Sequence, residues 1–208
     1  MDREELLIEA AQKGKLSAFN QLVLRYQGLA YNVAYRILGD PDQAADATQD
    51  SFVKAYRSLS SFRGGAFKSW LLRIVTNTCY DMLRSRQRRP TSSLDDLLVD
   101  PEHASLLTHD EEGPEAFALR LELGELIARG IAELPEDQRV TLVLADIEGL
   151  SYQEIAEITN VQLGTVKSRL SRARARLRDY LLSRQELLPQ QYRLRGDTAE
   201  TSRGDYEA

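Results

Sequence analysis

The sequence predicts an all-α protein of two small helical domains, an N-terminal helical bundle and a C-terminal helix-turn-helix domain, joined by an acidic flexible linker. Three observations carry this. Apolar residues recur at three- and four-residue steps along most of the chain, as in Phe19, Leu22, Val23, Tyr26, Ala30, Val33, Ala34 and Ile37, the period of an amphipathic helix. Residues 90–117 break that pattern, with Pro90, Pro101 and Pro114 among many acids. Charge is also unevenly placed within a net charge of −5. Residues 1–90 hold 14 basic and 9 acidic side chains, residues 91–117 none and 8, residues 118–182 hold 9 and 10, and residues 183–208 hold 4 and 5. Two regions of concentrated basic surface thus flank an acidic connector, and for a nucleic-acid partner the local distribution counts more than the total.

With 208 residues there is room for one domain or two small ones, each able to bury a modest core. The apolar runs are far too short to span a membrane, and MDREELLIEA lacks a secretory h-region, so a soluble cytoplasmic protein is expected. Cys79 is the single cysteine, which excludes an internal disulfide framework and reads as a small core residue. His103 and His109 sit in the acidic segment with no other ligand type arranged around them, so no metal or other cofactor is expected.

Residues 3–37 read as helix, broken once near Gly14 and stopped at Gly39. Asp40, Pro41 and Gln43 then give an N-cap, a first-turn proline and a box partner. The helix from 41 to about 59 shows an apolar side of Ala45, Phe52, Tyr56 and Leu59, while Asp46, Gln49 and Asp50 form a compact polar face at i, i+3 and i+4. In the loop SSFRGGAF (60–67) two glycines stand between Phe62 and Phe67. Residues 68–88 are the cleanest amphipathic helix. Trp70, Leu71, Ile74, Val75, Thr78, Cys79, Met82 and Leu83 make its buried side, and Arg73, Asn77, Tyr80, Arg84 and Arg88 its exposed one, ending in SRQRR.

Residues 91–117 form the linker, which lacks an apolar core of its own. The second domain, 118–182, starts with Leu119, Leu123, Leu126, Ile127, Ile131 and Leu134, restarts at Pro135 with Val140, Leu142, Val143, Leu144 and Ile147, and turns at Glu148-Gly149. Then follows LSYQEIAEITNVQLGTVKSRLSRARARLR (150–178). Ser151 and Glu154 spell a capping box, and Asn160 tolerates the left-handed turn. Val166, Leu170, Ala173 and Leu177 make one narrow apolar stripe. The opposite face carries small Ser168, Ser171 and Ala175, surrounded by Lys167, Arg172, Arg176 and Arg178, with no acid between 163 and 178. Small residues let a helix backbone approach a groove floor while long cations reach phosphates on either side. Gln162, a weak cap, stands where the second helix starts. Residues 183–208 are polar, and expected to be largely disordered.

Three segments, AFNQLVLRYQGLAYNVAYRILGDPDQAADATQDSFVKAYRSLSSF (18–62), FKSWLLRIVTNTCYDMLRSRQRR (67–89) and LPEDQRVTLVLADIEGLSYQEIAEITNVQLGTVKSRLSRARARL (134–177), stand in this order with the acidic linker between the last two. In this the chain resembles a bacterial RNA polymerase sigma factor of the extracytoplasmic-function group of the sigma-70 family. The resemblance implies a region 2-like domain over 1–90 and a region 4-like domain over 118–182. It implies docking on core RNA polymerase, beta and beta-prime subunits, with Asp46, Gln49 and Asp50 as contacts. It implies a −10 reader in which Arg63, Phe67, Lys68, Asn77, Tyr80 and Arg84 meet a flipped base and the separated strand, offsetting an unstacking cost of a few kcal/mol. It implies a −35 duplex reader built of Lys167, Ser168, Ser171, Arg172 and Arg176, where a bidentate Arg–guanine contact is worth about 1–3 kcal/mol. The linker would thread the polymerase's RNA path, and an anti-sigma factor would hold the protein inactive.

Two other classes fit less well. A stand-alone helix-turn-helix repressor needs a ligand pocket or dimer interface in its other half, where this chain has a polar docking face and a cationic helix. A nuclease needs clustered carboxylates or histidines, and Asp46, Asp50 and Asp81 are not so arranged. The expected role is therefore that of a specificity subunit without catalysis of its own.

Overall fold

The helix boundaries fall where local capping chemistry puts them. In the computed structural model, which describes residues 3–88, 114–184 and 186, every element is helical. Helices α1 (Arg3–Gln12) and α2 (Leu16–Leu38) come first. Gly39 ends α2 in the left-handed region (φ 74°), and its N–H donates to the Tyr35 carbonyl, a conformation that a Cβ would strain. Asp40 then caps α3 (Pro41–Ser58), its carboxylate accepting the Gln43 N–H at 2.8 Å. A 3₁₀ turn (Leu59–Ser61) leads into the loop, where Gly64 and Gly65 both have positive φ (98° and 91°). Helix α4 (Phe67–Arg88) closes the bundle.

In the second half, α5 (Pro114–Ala132) begins inside the segment expected to be linker, because Pro114 suits a first helical turn. Leu119, expected on its apolar stripe, is exposed, whereas Leu126 and Ile131 are buried. Helix α6 (Glu136–Leu142) runs on as one π-helical turn (Val143–Ile147), closed by Glu148 N–H to Val143 O. Helices α7 (Tyr152–Thr159) and α8 (Leu163–Leu182) form the helix-turn-helix. Its capping box is complete, with both Ser151–Glu154 hydrogen bonds made, and Asn160 is left-handed (φ 53°). Gln162 makes no side-chain cap. The rest of the linker, the SRQRR ending beyond Arg88, and the tail beyond Arg184 apart from Glu186 lie outside the described residues.

Helix α2 packs against α1, α3 and α4, and α8 against α5, α6 and α7. The buried side of α3 differs from its expected apolar stripe. Ala44, Ala47, Ser51, Phe52 and Ala55 face inward, while Ala45 and Tyr56 are exposed. Small residues allow close helix approach, so the larger apolar side chains are left on the outer edge, where Tyr56 stacks obliquely on Phe19.

The two halves are docked. Helix α4 packs on α7, α2 packs on α5, α6 and the π-helical turn, and the buried apolar residues of both halves, Leu126 apart, form one continuous cluster. On α4 the row 68, 72, 76, 80 carries this contact. Lys68 and Tyr80 bond to the second half, and Leu72 and Thr76 between them are fully buried although neither belongs to the predicted stripe. Residues four apart form one ridge of a helix, and burying a Leu side chain contributes about 1.5–3 kcal/mol.

Candidate nucleic-acid interface

Helix α8 presents the first candidate surface. Its apolar stripe is anchored by buried Val166, Leu170 and Ala173, which turns the opposite, small-residue face outward. Lys167, Ser171, Arg172 and Arg176 are exposed and Ser168 half-buried. Long-range pairing sorts the basic side chains. Arg174 holds Asp146 through two hydrogen bonds, Nε–Oδ2 at 2.9 Å and Nη2–Oδ1 at 2.6 Å, and Arg169 holds Asp137. Arg178 pairs with its neighbour Asp179 at 2.8 Å. Lys167, Arg172 and Arg176 make no ion pair among the described residues, and Arg172 bonds only the Ser168 hydroxyl (3.2 Å). Three cations on one face thus point into solvent, with small residues between them.

The second surface is the loop before α4 and the polar side of that helix. Arg63 is exposed, with a hydrogen bond to Ser60 O at 3.2 Å. Asn77 and Arg84 are exposed and Tyr80 half-buried, and Arg84 lies 6.0 Å from the Tyr80 ring centroid. These three line a cleft of about 500 Å³ whose far wall is Asp137, Thr159–Val161 and Arg169 of the second half. Burial and the nearby Asp137 carboxylate push the Tyr80 phenol up to about 12. Phe67 must be reassigned. Only 1 % exposed, it packs among Tyr26, Phe62 and Trp70, with ring centroids 5.4–5.7 Å apart, so its faces are taken by the core and none is open to a base. Lys68 is also engaged, its ammonium 2.8 Å from Glu148 O and 3.2 Å from the Glu148 carboxylate.

A third surface borders α3. Asp46, Gln49 and Asp50 are all exposed. Gln49, Val53 and Tyr56 line one side of an apolar groove of about 850 Å³, and Phe19, Val23 and Tyr31 of α2 line the other. Sequence reasoning missed this groove, because Phe19, Val23 and Tyr56 had been expected to face inward and Val53 and Tyr31 were assigned to no face.

It also missed Ser69, Arg139, Glu148 and Glu154 as a set joining the two halves. Ser69 donates to the Glu154 carboxylate, and Arg139 donates to Ile37 O at 2.8 Å. The only trace in the sequence is the four-residue step from Lys68 through Leu72 and Thr76 to Tyr80.

A docked pair of helical domains, one bearing an outward cationic recognition helix and the other a polar-cationic helix beside a glycine loop, defines a DNA-binding protein of bipartite design. The family models concur: residues 22–89 match Sigma-70 region 2 and residues 124–177 match Sigma-70 region 4. The ECF RNA polymerase sigma-E factor of Salmonella typhimurium strain LT2 is 42% identical over 173 residues, 82% of this chain and 90% of that protein. The RNA polymerase sigma-H factor of Pseudomonas aeruginosa is 40% identical over 178 residues, 83% and 91% respectively. Among solved structures, the sigma factor RpoE of Bartonella quintana, in complex with the anti-sigma factor NepR, matches with a TM-score of 0.63 and 28% identity over 78% of this chain and 96% of that one. CnrH in complex with the cytosolic domain of CnrY matches at 0.59 and 30%, over 86% and 97%. The chain belongs to the extracytoplasmic-function group of sigma-70 RNA polymerase sigma factors. It is a transcription initiation factor with two DNA-binding regions, and no helix among the described residues is long and apolar enough to cross a membrane.

Proposed function

We propose that the protein reads −35 promoter duplex with the outward face of α8 and the −10 single strand with the loop and polar side of α4, while docked on core RNA polymerase. The observation that carries this is the sorting of cations on α8. Lys167, Arg172 and Arg176 are left without ion pairs among the described residues, whereas Arg169 and Arg174 are tied to Asp137 and Asp146. A merely solvated helix has no reason to keep its unpaired charges on the one face lined by Ser168 and Ser171. Those small residues allow backbone approach to a groove, and the cations answer phosphates or guanine edges.

For the −10 element the reading rests on Arg63, Lys68, Asn77, Tyr80 and Arg84, and Phe67 supports the loop from below. Asp46, Gln49 and Asp50 form the docking face for the beta-prime subunit, with Val53 and Tyr56 of the adjoining groove as its apolar component. Apolar groups beside a charged rim are the usual composition of a protein interface. The protein has no catalysis of its own, acts in the cytoplasm, and is held inactive by an anti-sigma factor, as supported by the similar sigma factor RpoE solved with the anti-sigma factor NepR.

Run-off transcription with purified core polymerase on a promoter library tests the whole reading. Defined start sites that depend on the protein are expected. Transcripts identical to those of core polymerase alone would overturn it.

A further inference from the structure

Helix α1 precedes the segment matched to region 2, and Ile8 and Ala11 are its buried residues. Its polar side chains reach further than its apolar ones. The exposed Gln12 spans 47 and 50 residues of sequence, its Nε2 donating to Leu59 O at 3.0 Å and to Phe62 O at 2.9 Å. Gly14, left-handed (φ 86°), fixes the helix end from which Gln12 extends. There Lys15 N–H bonds Ala10 O (3.0 Å) and Gly14 N–H bonds Ala11 O (2.9 Å), the paired bonds of a Schellman stop. Near the start of α1 the Glu4 carboxylate accepts the Tyr26 hydroxyl at 2.7 Å and pairs with Arg25 at 3.3 Å. The Tyr26 ring in turn packs on Phe67, with centroids 5.4 Å apart.

These contacts grip the glycine loop on both sides. Leu59 O and Phe62 O stand before Gly64 and Gly65, and Phe67 stands after them. Between the two held ends, Arg63, Gly64 and Gly65 make no backbone–backbone hydrogen bond among the described residues. Both glycines also have the conformational freedom of a residue without a Cβ. Such a segment keeps one shape only as far as its ends are fixed, and any ordering left undone in the free protein weakens binding of the ligand that must impose it.

We propose that α1 is a brace for this loop, with Gln12 and Glu4 as positioning residues for −10 recognition. Gln12 sets the near shoulder of the loop through two backbone carbonyls. Glu4 sets the far shoulder through Tyr26 and Phe67. Neither needs to touch DNA. The brace makes the loop favour one flipped base over another, and it contributes nothing to −35 reading. This rests on the reading of loop 60–67 as part of the −10 reader.

The test uses holoenzyme reconstituted from the full chain and core polymerase on the promoter library, with base preference at each −10 and −35 position read from transcript abundance. Gln12→Leu removes both donors, and because Gln12 is exposed it disturbs no core packing. It should lower discrimination at −10 positions by about tenfold, the equivalent of two modest hydrogen bonds, and leave −35 preferences unchanged. Glu4→Leu should act in the same direction, whereas Glu4→Gln, which still accepts the Tyr26 hydroxyl, should keep the original preferences. Unchanged −10 preferences in Gln12→Leu would overturn the proposal, and so would equal erosion at both elements, the mark of a loosened fold. Equal losses in Glu4→Leu and Glu4→Gln would overturn the Glu4 arm. Arg63→Ala separates the remaining failures. If it alters −10 preference and Gln12→Leu does not, only the brace has failed; if neither does, the reading of the loop has failed with it.

Discussion

The sorting of arginines on α8 leads to a paired prediction. Arg172 and Arg174 are two residues apart on one exposed helix, so composition treats them alike, but their surroundings differ. Arg172 extends from the small-residue face with only the Ser168 hydroxyl as partner, while Arg174 is clamped on Asp146 by two hydrogen bonds. Arg172→Ala should cost about 1–3 kcal/mol of −35 duplex binding if it meets a guanine edge, which is roughly 5- to 150-fold. If it meets a phosphate instead, the slope of log affinity against log salt should fall by about 0.9. Arg174→Ala removes a surface pair whose partners are 53% and 33% exposed. Its contribution is screened, about 0–1 kcal/mol of stability, and duplex affinity should change little. Fluorescence anisotropy of a labelled upstream promoter duplex over a salt series reads both. Equal losses for Arg172→Ala and Arg174→Ala would refute the claim that ion pairing selects the reading residues.

Three further outcomes are expected. Asp50→Ala should weaken association with core polymerase by about 1 kcal/mol, more at low salt than at high because an exposed carboxylate is screened; co-elution on gel filtration at two ionic strengths checks it. Cys79, with its pKa pushed to about 12 by burial, should resist aromatic disulfide reagents in the native protein and react only when urea unfolds the first domain, since the thiolate is the reacting form. Glu154 is held below the ordinary glutamate range by hydrogen bonds from Ser69 and Ser151. Its stabilising effect is therefore complete above the unfolded-state pKa and lost as pH falls through the lower folded-state value. Acid titration followed by circular dichroism should show α7 loosening, and Ser69→Ala should move that transition to higher pH.

Much of the fold was legible because its signals are local. Period-three-and-four apolar residues set out α2, α4 and α8, and the caps at Asp40, Ser151 and Asn160 are made by neighbours within three or four residues. Side-chain burial in α3 was not legible, since a face of Ala44, Ala47, Ser51 and Ala55 has little hydrophobic contrast to display. A buried small residue is chosen by how closely α2 and α4 approach, which is a property of the assembled bundle. Phe67 looked like a base-stacking aromatic for the complementary reason: a ring beside glycines is ambiguous until its neighbours Tyr26, Phe62 and Trp70 are in place.

By itself, then, the sequence determined the helices, their turns, the acidic break between two basic regions and the family, all of which depend on residues close in the chain or on order along it. Only the tertiary structure decided which cations of α8 are free, and that the polar side of α4 meets Glu148, Glu154 and Asp137. Lys68 and Glu148 are separated by 80 residues. Whether a charge meets solvent, nucleic acid or a carboxylate of the same chain depends on distances of a few ångströms between such segments, and Coulomb energy varies too steeply with distance and burial for residue order to reveal it.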